Sequence, residues 1–220
     1  QLITSEDPDV IIIKDFELKQ NCFDLINNLH DLAKELDHRE EKNNWFFSYD
    51  VLPTRKNESK MNAKRIVRSW EILDLEKVQS NTVLKVFRKL RNLQINCIVK
   101  TDKLPPNNMI VPQIYHYPIG GGFFQWHSHP RFPTNYGLIL NLAQKGEHFD
   151  TGATEIVSND GEVIKIEEHC NAGDLALFKY DLKHRVAPCD PDKDLTFGAN
   201  GRWTAIMPIQ SRDQPYRHLW

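Results

Sequence analysis

The hydrophobic pattern changes period part-way along the chain. Val10 to Lys14 (VIIIK) is a short β-branched run, the pattern of a buried strand. Phe23, Leu25, Ile26, Leu29, Leu32, Ala33 and Leu36 then recur at three- and four-residue steps, which predicts an amphipathic helix over about residues 19 to 37. The polar segment HREEKNN reads as a turn, Trp45 to Tyr49 as a short strand, and Leu52 to Lys64 as an exposed loop. A second helix is expected from about Asp74 to Leu93. Leu75, Val78, Val83, Val86, Phe87 and Leu90 form its apolar side, and Lys85, Arg88, Lys89 and Arg91 crowd the other. Pro105-Pro106-Asn107-Asn108 breaks the chain after it.

From Met109 onward the pattern is one of short strands separated by turn residues. The strands expected are Ile110 to Tyr117, Gly122 to His127, Tyr136 to Leu142, Thr154 to Val157, Val163 to Glu167, Leu175 to Tyr180, Arg185 to Ala187 and Arg202 to Pro208. Strands of this length behind a helical part predict an α+β protein with a double-stranded β-helix (jelly-roll) core, buttressed by the N-terminal helices. No repeat or linker divides the chain. The expectation is a single domain over 1–220, with a helical part to about 108 and the jelly roll over about 109–210.

At 220 residues, with 40% hydrophobic and 26% charged residues, the chain has the composition of an ordinary globular protein. A net charge of −2 gives no reason to expect nucleic acid or an anionic membrane as partner, and the basic helix side reads as a solvated face. No apolar run approaches the roughly 20 residues of a membrane span. Cys22, Cys97, Cys170 and Cys189 are far apart and form no CxxC pair, so they read as reduced thiols of a cytoplasmic protein rather than a zinc site or a disulfide scaffold.

The chemistry concentrates in Val111 to Arg131, VPQIYHYPIGGGFFQWHSHPR. His127 and His129 are two apart, and on a strand such residues share a face. Imidazole is a common ligand for iron, copper, nickel and zinc. A third candidate is His184, in KYDLKHRVAP. A surface histidine pair arises by chance often enough that HxH alone decides nothing. The other histidines have no comparable setting. Trp126 faces opposite to His127 and reads as a packing residue.

The order of segments resembles the iron(II)/2-oxoglutarate-dependent oxygenases, specifically their prolyl-hydroxylase-like branch. QIYHYPIGGGFFQWHSH matches that family's tyrosine strand, glycine turn and metal motif, and YGLILNL its next strand. DTGATEIV matches a glycine-and-threonine turn, NAGDLALF the glycine-aspartate strand opening, HRVAP the distal histidine, and GRWTAIMPI the basic residue of the last strand. VIIIKDF and the helix after it resemble the family's N-terminal opening. The resemblance covers about residues 9 to 210 and is firm from 110 onward.

The resemblance implies Fe(II) held by His127, His129 and His184, with 2-oxoglutarate as cosubstrate. Arg202 would hold its far carboxylate, and Thr204, Tyr115, Tyr117 and Asn141 would line its pocket; Arg131 is a candidate for substrate. One departure stands out: the family has a carboxylate two residues after the first histidine, where this chain has His129. Three readings follow. His129 ligates and the centre is three-histidine, as in some cupin-type oxygenases; or His129 turns away and water or a carboxylate such as Asp150 completes the shell; or the site no longer does chemistry.

The implied activity is a dioxygenase consuming dioxygen and hydroxylating an amino acid, a peptidyl residue or another small metabolite. Halogenation is disfavoured, because halogenases of this class have a small residue where His129 stands. The alternatives are a cupin-type three-histidine dioxygenase that does not use 2-oxoglutarate, and a non-catalytic metal-binding jelly-roll protein.

Overall fold

The computed structural model of the chain describes residues 7–34, 40–42, 45–51, 65–72, 80–98, 108–131 and 134–211. Its first elements are β1 (Val10–Ile13), α1 (Lys19–Lys34), β2 (Glu40–Lys42), β3 (Trp45–Val51) and β4 (Arg65–Ile72). Then come α2 (Asn81–Leu93), which runs into a π-helical turn at Gln94–Ile98, and β5 (Asn108–Ile110). The strands β6 (Gln113–Ile119), β7 (Gly122–His127), β8 (Tyr136–Asn141), β9 (Thr154–Val157) and β10 (Val163–Lys165) follow. A 3-10 turn at Ile166–Glu168 leads to β11 (Leu175–Lys179), β12 (His184–Cys189), β13 (Thr196–Ile206) and β14 (Ile209–Ser211).

One antiparallel sheet runs in the order β1-β11-β8-β13-β6-β4-β7-β12-β9-β10, with β3 and then β2 added at β4; β5 and β14 make a separate ribbon. The sheet turns over at β4. Arg68 to Glu71 pair with β6, while Arg65 and Ile66 pair with β7. The two halves then face each other, as shown by the side chain of Arg202 on β13 bonding to Thr154 on β9, strands that are not neighbours in the sheet. This is the jelly roll the strand pattern implies.

Between β6 and β7 the chain turns through Gly120 and Gly121, both at positive φ (87° and 105°), a conformation open to glycine at little cost. A Cβ on Gly120 would also run into the backbone of Leu195.

The two helices bury one stripe each: Cys22, Leu25, Ile26 and Leu29 on α1, and Val83, Val86, Phe87 and Leu90 on α2. Both stripes join the main core with Trp70, Trp203 and Leu140. Fully burying a side chain of this size contributes roughly 1.5–3 kcal/mol. At the centre of that core Trp203 stacks between Trp70 (4.9 Å) and His116 (4.2 Å).

Several boundaries differ from the sequence pattern. α2 begins at Asn81 because Ser80, in extended conformation, caps it by accepting from the Val83 N–H at 3.4 Å. The polar segment taken as a turn contains β2, one arm of a hairpin with β3. β4 had no counterpart in the sequence reading, although it joins the halves of the sheet. The strand expected to reach Glu167 stops at Lys165, and the last long strand starts at Thr196 rather than Arg202. The loop from 52 to 64, the expected helix start at 74 to 79 and Pro105-Pro106 lie outside the described residues. Cys22, Cys170 and Cys189 are free and buried. Burial pushes all three thiols up to about 12, so they stay protonated. Among the described residues no helix is long and apolar enough to cross a membrane.

Candidate metal centre

His127 closes β7 and His184 opens β12, and the two are direct partners across that strand pair. Their ring centroids are 4.2 Å apart. His129 lies beyond the end of β7, so the pleat of a strand does not aim it. The chain is instead tied to its neighbour by the His129 N–H donating to the Tyr180 carbonyl at 3.1 Å. One potential ligand atom from each of the three histidines lies within 4.8 Å of the others.

The protonation states suit a metal. The Nδ1 of His127 lies 2.7 Å from the Gln125 carbonyl and that of His184 lies 2.8 Å from the Leu182 carbonyl. A carbonyl only accepts, so Nδ1 carries the proton in both rings and Nε2 keeps its lone pair. Burial disfavours the imidazolium and lowers His184 to about 3 and His129 to about 4, and it lowers His127 as well. Each ring also packs on an aromatic neighbour. Phe124 sits 4.4 Å from His127, Tyr180 4.3 Å from His129 and Phe178 4.8 Å from His184.

The histidines line a cavity of about 540 Å³ that reaches inward past Tyr115, Tyr117 and Thr204 to Thr154 and Arg202. The register sets these groups side by side: Arg202 pairs with Tyr117, Thr204 with Tyr115 and Ile206 with Gln113. Arg202 is buried. Its Nε donates to Glu167 and its Nη2 to Thr154, and the Glu167 carboxylate also accepts from the Thr154 N–H at 2.7 Å. Tyr117 is buried with its ring 5.3 Å from the Arg202 guanidinium, and the Tyr115 hydroxyl donates to Gln113 at 3.1 Å.

Asn141 faces Thr204 across β8 and β13, and among the described residues both polar atoms of its buried amide lack a partner. It is not part of the cavity wall. Arg131 is also outside the wall, exposed and paired with Asp181 at 2.8 Å. Asp150 pairs with Lys193 at 2.8 Å and is absent from the cluster formed by the three histidines. Trp126 packs under the Arg185 guanidinium at 4.7 Å.

No protein-family model matches the sequence, nor does any curated protein sequence. Solved structures do match the fold. A prolyl-4-hydroxylase from Pseudomonas putida superposes with TM-score 0.61 at 15% identity, covering 90% of this chain and 91% of its own. The non-heme alpha-ketoglutarate-dependent epimerase SnoN from nogalamycin biosynthesis gives 0.52 at 9% identity over 92% and 78%. A Trichoplax adhaerens prolyl hydroxylase, in complex with a hypoxia-inducible-factor peptide fragment, gives 0.50 at 15% identity over 96% and 86%. The fold is the one that these three structures share.

Iron and 2-oxoglutarate are the groups the sequence resemblance implies, and the residues of this chain fit the two unequally. Three convergent neutral imidazoles are a sound donor set for a first-row metal. For a dicarboxylate, part of the Arg202 fork is already used by Glu167 and Thr154. What remains on the cavity wall is its Nη1 and the Thr204 hydroxyl. These supply hydrogen bonds, while the charge of Arg202 is largely balanced by Glu167.

The residues that the sequence reading missed are Glu167, Tyr180 and Phe178. Glu167 lies in a 3-10 turn, where periodicity carries no information. The two aromatics read as ordinary strand residues until the fold sets Phe178 against His184 and Tyr180, just past β11, against His129.

Proposed function

We propose that this chain is a single-domain iron(II)- and 2-oxoglutarate-dependent dioxygenase that hydroxylates an amino acid, a peptidyl residue or another small metabolite. The observation that carries the reading is the convergence of His127, His129 and His184 on the cavity that ends at Arg202. His127 and His184 would hold the metal through Nε2, with His129 standing where the family has a carboxylate. Arg202 and Thr204 would bind the far carboxylate of 2-oxoglutarate, with Tyr115 and Tyr117 as walls and Asn141 beside them. When bound, iron would activate dioxygen, one oxygen atom passing to 2-oxoglutarate as it leaves as succinate and carbon dioxide and the other to a substrate C–H bond. The task of the protein is to orient the cosubstrate, shield it from water and hold the substrate at the mouth.

A second reading, a three-histidine dioxygenase that does not use 2-oxoglutarate, is favoured by one observation: Glu167 already balances Arg202. The test is succinate and carbon dioxide release from 2-oxoglutarate by the iron-reconstituted protein, with oxygen uptake followed in parallel. Succinate formed in step with oxygen uptake supports the first reading. Oxygen uptake without succinate supports the second, and the absence of both, with metal bound, rejects both.

A further inference from the structure

The rings of His127 and His184 are each fixed by a hydrogen bond to a carbonyl two residues back in the chain. His129 has no such bond. Among the described residues neither of its ring nitrogens has a hydrogen-bond partner. The ring is held by stacking. Tyr180 lies on it with 4.3 Å between centroids and 21° between planes, against 87° for His129 on His127. Because the Tyr180 carbonyl also accepts from the His129 N–H, one residue fixes both the main chain and the ring plane.

We propose that Tyr180 is a positioning residue for His129, its ring setting the imidazole plane so that a ring nitrogen faces the point shared with His127 and His184. The inference rests on the three-histidine reading given above. Its physical reason lies in the donor. An imidazole nitrogen offers a single lone pair in the plane of the ring, so a wrong rotation takes the ligand atom off the metal. A carboxylate has two oxygens and about four lone-pair sites, and tolerates rotation far better. Histidine in the carboxylate place therefore creates a demand for orientation, and the stacked tyrosine meets it.

The seat of Tyr180 is itself built by a glycine. A Cβ on Gly137 of β8 would stand 2.7 Å from Cδ2 of Tyr180 and 2.8 Å from Cζ of Phe178. The Tyr180 N–H donates to the Asn135 carbonyl at 2.9 Å, which anchors the same residue from behind.

The test is Co(II) titration of the metal-free full chain and Cu(II) electron paramagnetic resonance, on Tyr180→Phe and Tyr180→Leu, each with His129 and with His129→Asp. Tyr180→Phe keeps the stacked ring and is expected within about 2-fold of the parent. Tyr180→Leu is expected to weaken Co(II) binding about 10- to 100-fold, the usual cost of losing a group that orients a metal ligand. Its Cu(II) spectrum should lose the coupling of one nitrogen. In the His129→Asp background the same change should cost less than about 2-fold, because the two sites no longer share a ring contact. Circular dichroism melts check that each variant is folded; if Tyr180→Leu is not, Tyr180→Met takes its place. An equal loss in both backgrounds, or an unchanged nitrogen count in Tyr180→Leu, would overturn the proposal. A His129→Ala variant that binds Co(II) as tightly as the parent would instead remove the three-histidine centre itself.

Discussion

Replacing one member of the Arg202–Glu167 pair is expected to cost far more than replacing both. The two side chains are only 2% and 3% exposed, so neither charge has water to fall back on. Glu167→Ala strands the guanidinium and removes the acceptor of the Thr154 N–H. Breaking one side of a buried ion pair costs about 3–5 kcal/mol, and Arg202→Met should cost about as much by stranding the carboxylate. For a chain of this length that is a fall in Tm of roughly 6–20 °C. The double variant Arg202→Met/Glu167→Leu removes both charges and fills the space with apolar atoms. Such exchanges are often neutral, so it should lie within about 2 kcal/mol of the parent. Urea denaturation of the metal-free protein at pH 7.5 gives the cycle, and a coupling of several kcal/mol is expected. Single variants that each cost under about 1 kcal/mol, or a double variant equal to their sum, would refute the account of the pair. The same cycle protects the functional reading, because the loss of 2-oxoglutarate binding in an Arg202 variant means little while Glu167 remains stranded. Glu167→Gln is the informative partner. It keeps the shape, frees the charge of Arg202, and should tighten 2-oxoglutarate binding measured by calorimetry.

Two further outcomes are expected. His116 is buried between Trp203 and Arg68, its Nδ1 accepts from Arg68 at 3.0 Å, and burial keeps its pKa well below the usual histidine value. Below about pH 6.5 the unfolded chain takes up a proton there that the folded chain refuses, so stability should fall by about 1.4 kcal/mol per pH unit until the folded pKa is reached. Urea titrations at pH 7.5 and 5.5 should show this contribution added to those of His127, His129 and His184, which burial also lowers, and His116→Gln should reduce the slope without abolishing it. Gly137→Ala should crowd Tyr180 and Phe178, which touch His129 and His184, and lower Co(II) affinity about 10-fold with a smaller effect on folding. Unchanged affinity would show that the two rings have room to give.

The parts of the fold legible in the sequence are those in which one physical signal acts alone. The three- and four-residue steps in α1 and the apolar side of α2 mark faces that bury against the sheet, and the helices lie where that periodicity puts them. Strands between Gly and Pro turns were similarly readable from β6 onward. β4 was not, because its burial does not alternate. In RIVRSWEI both Arg68 and Glu71 are buried beside Val67, Trp70 and Ile72, in a strand that has sheet on both sides. Arg68, the second arginine of that strand, reads as solvent-facing by composition. In the fold it is buried and bonded to His116 and to the Gly198 carbonyl.

At the candidate site the sequence located the groups but not the forces that place them. His127, His129 and His184 were readable from spacing and order, yet the reason first offered for the pair, the two-residue pleat of a strand, does not operate. β7 ends at His127, and His129 is brought round by a bond to a residue 51 positions later in the chain (180 − 129). Arg202 was readable as the basic residue of the last long strand, although it lies within that strand and does not open it, but its partner Glu167 was not readable. A carboxylate in a 3-10 turn reaches Arg202 only after the two halves of the sheet have closed face to face. Local pattern therefore pointed to side chains that the fold brings together. The charge they present is decided by contacts across the barrel, and this is why Glu167 is the residue on which the choice between the two functional readings turns.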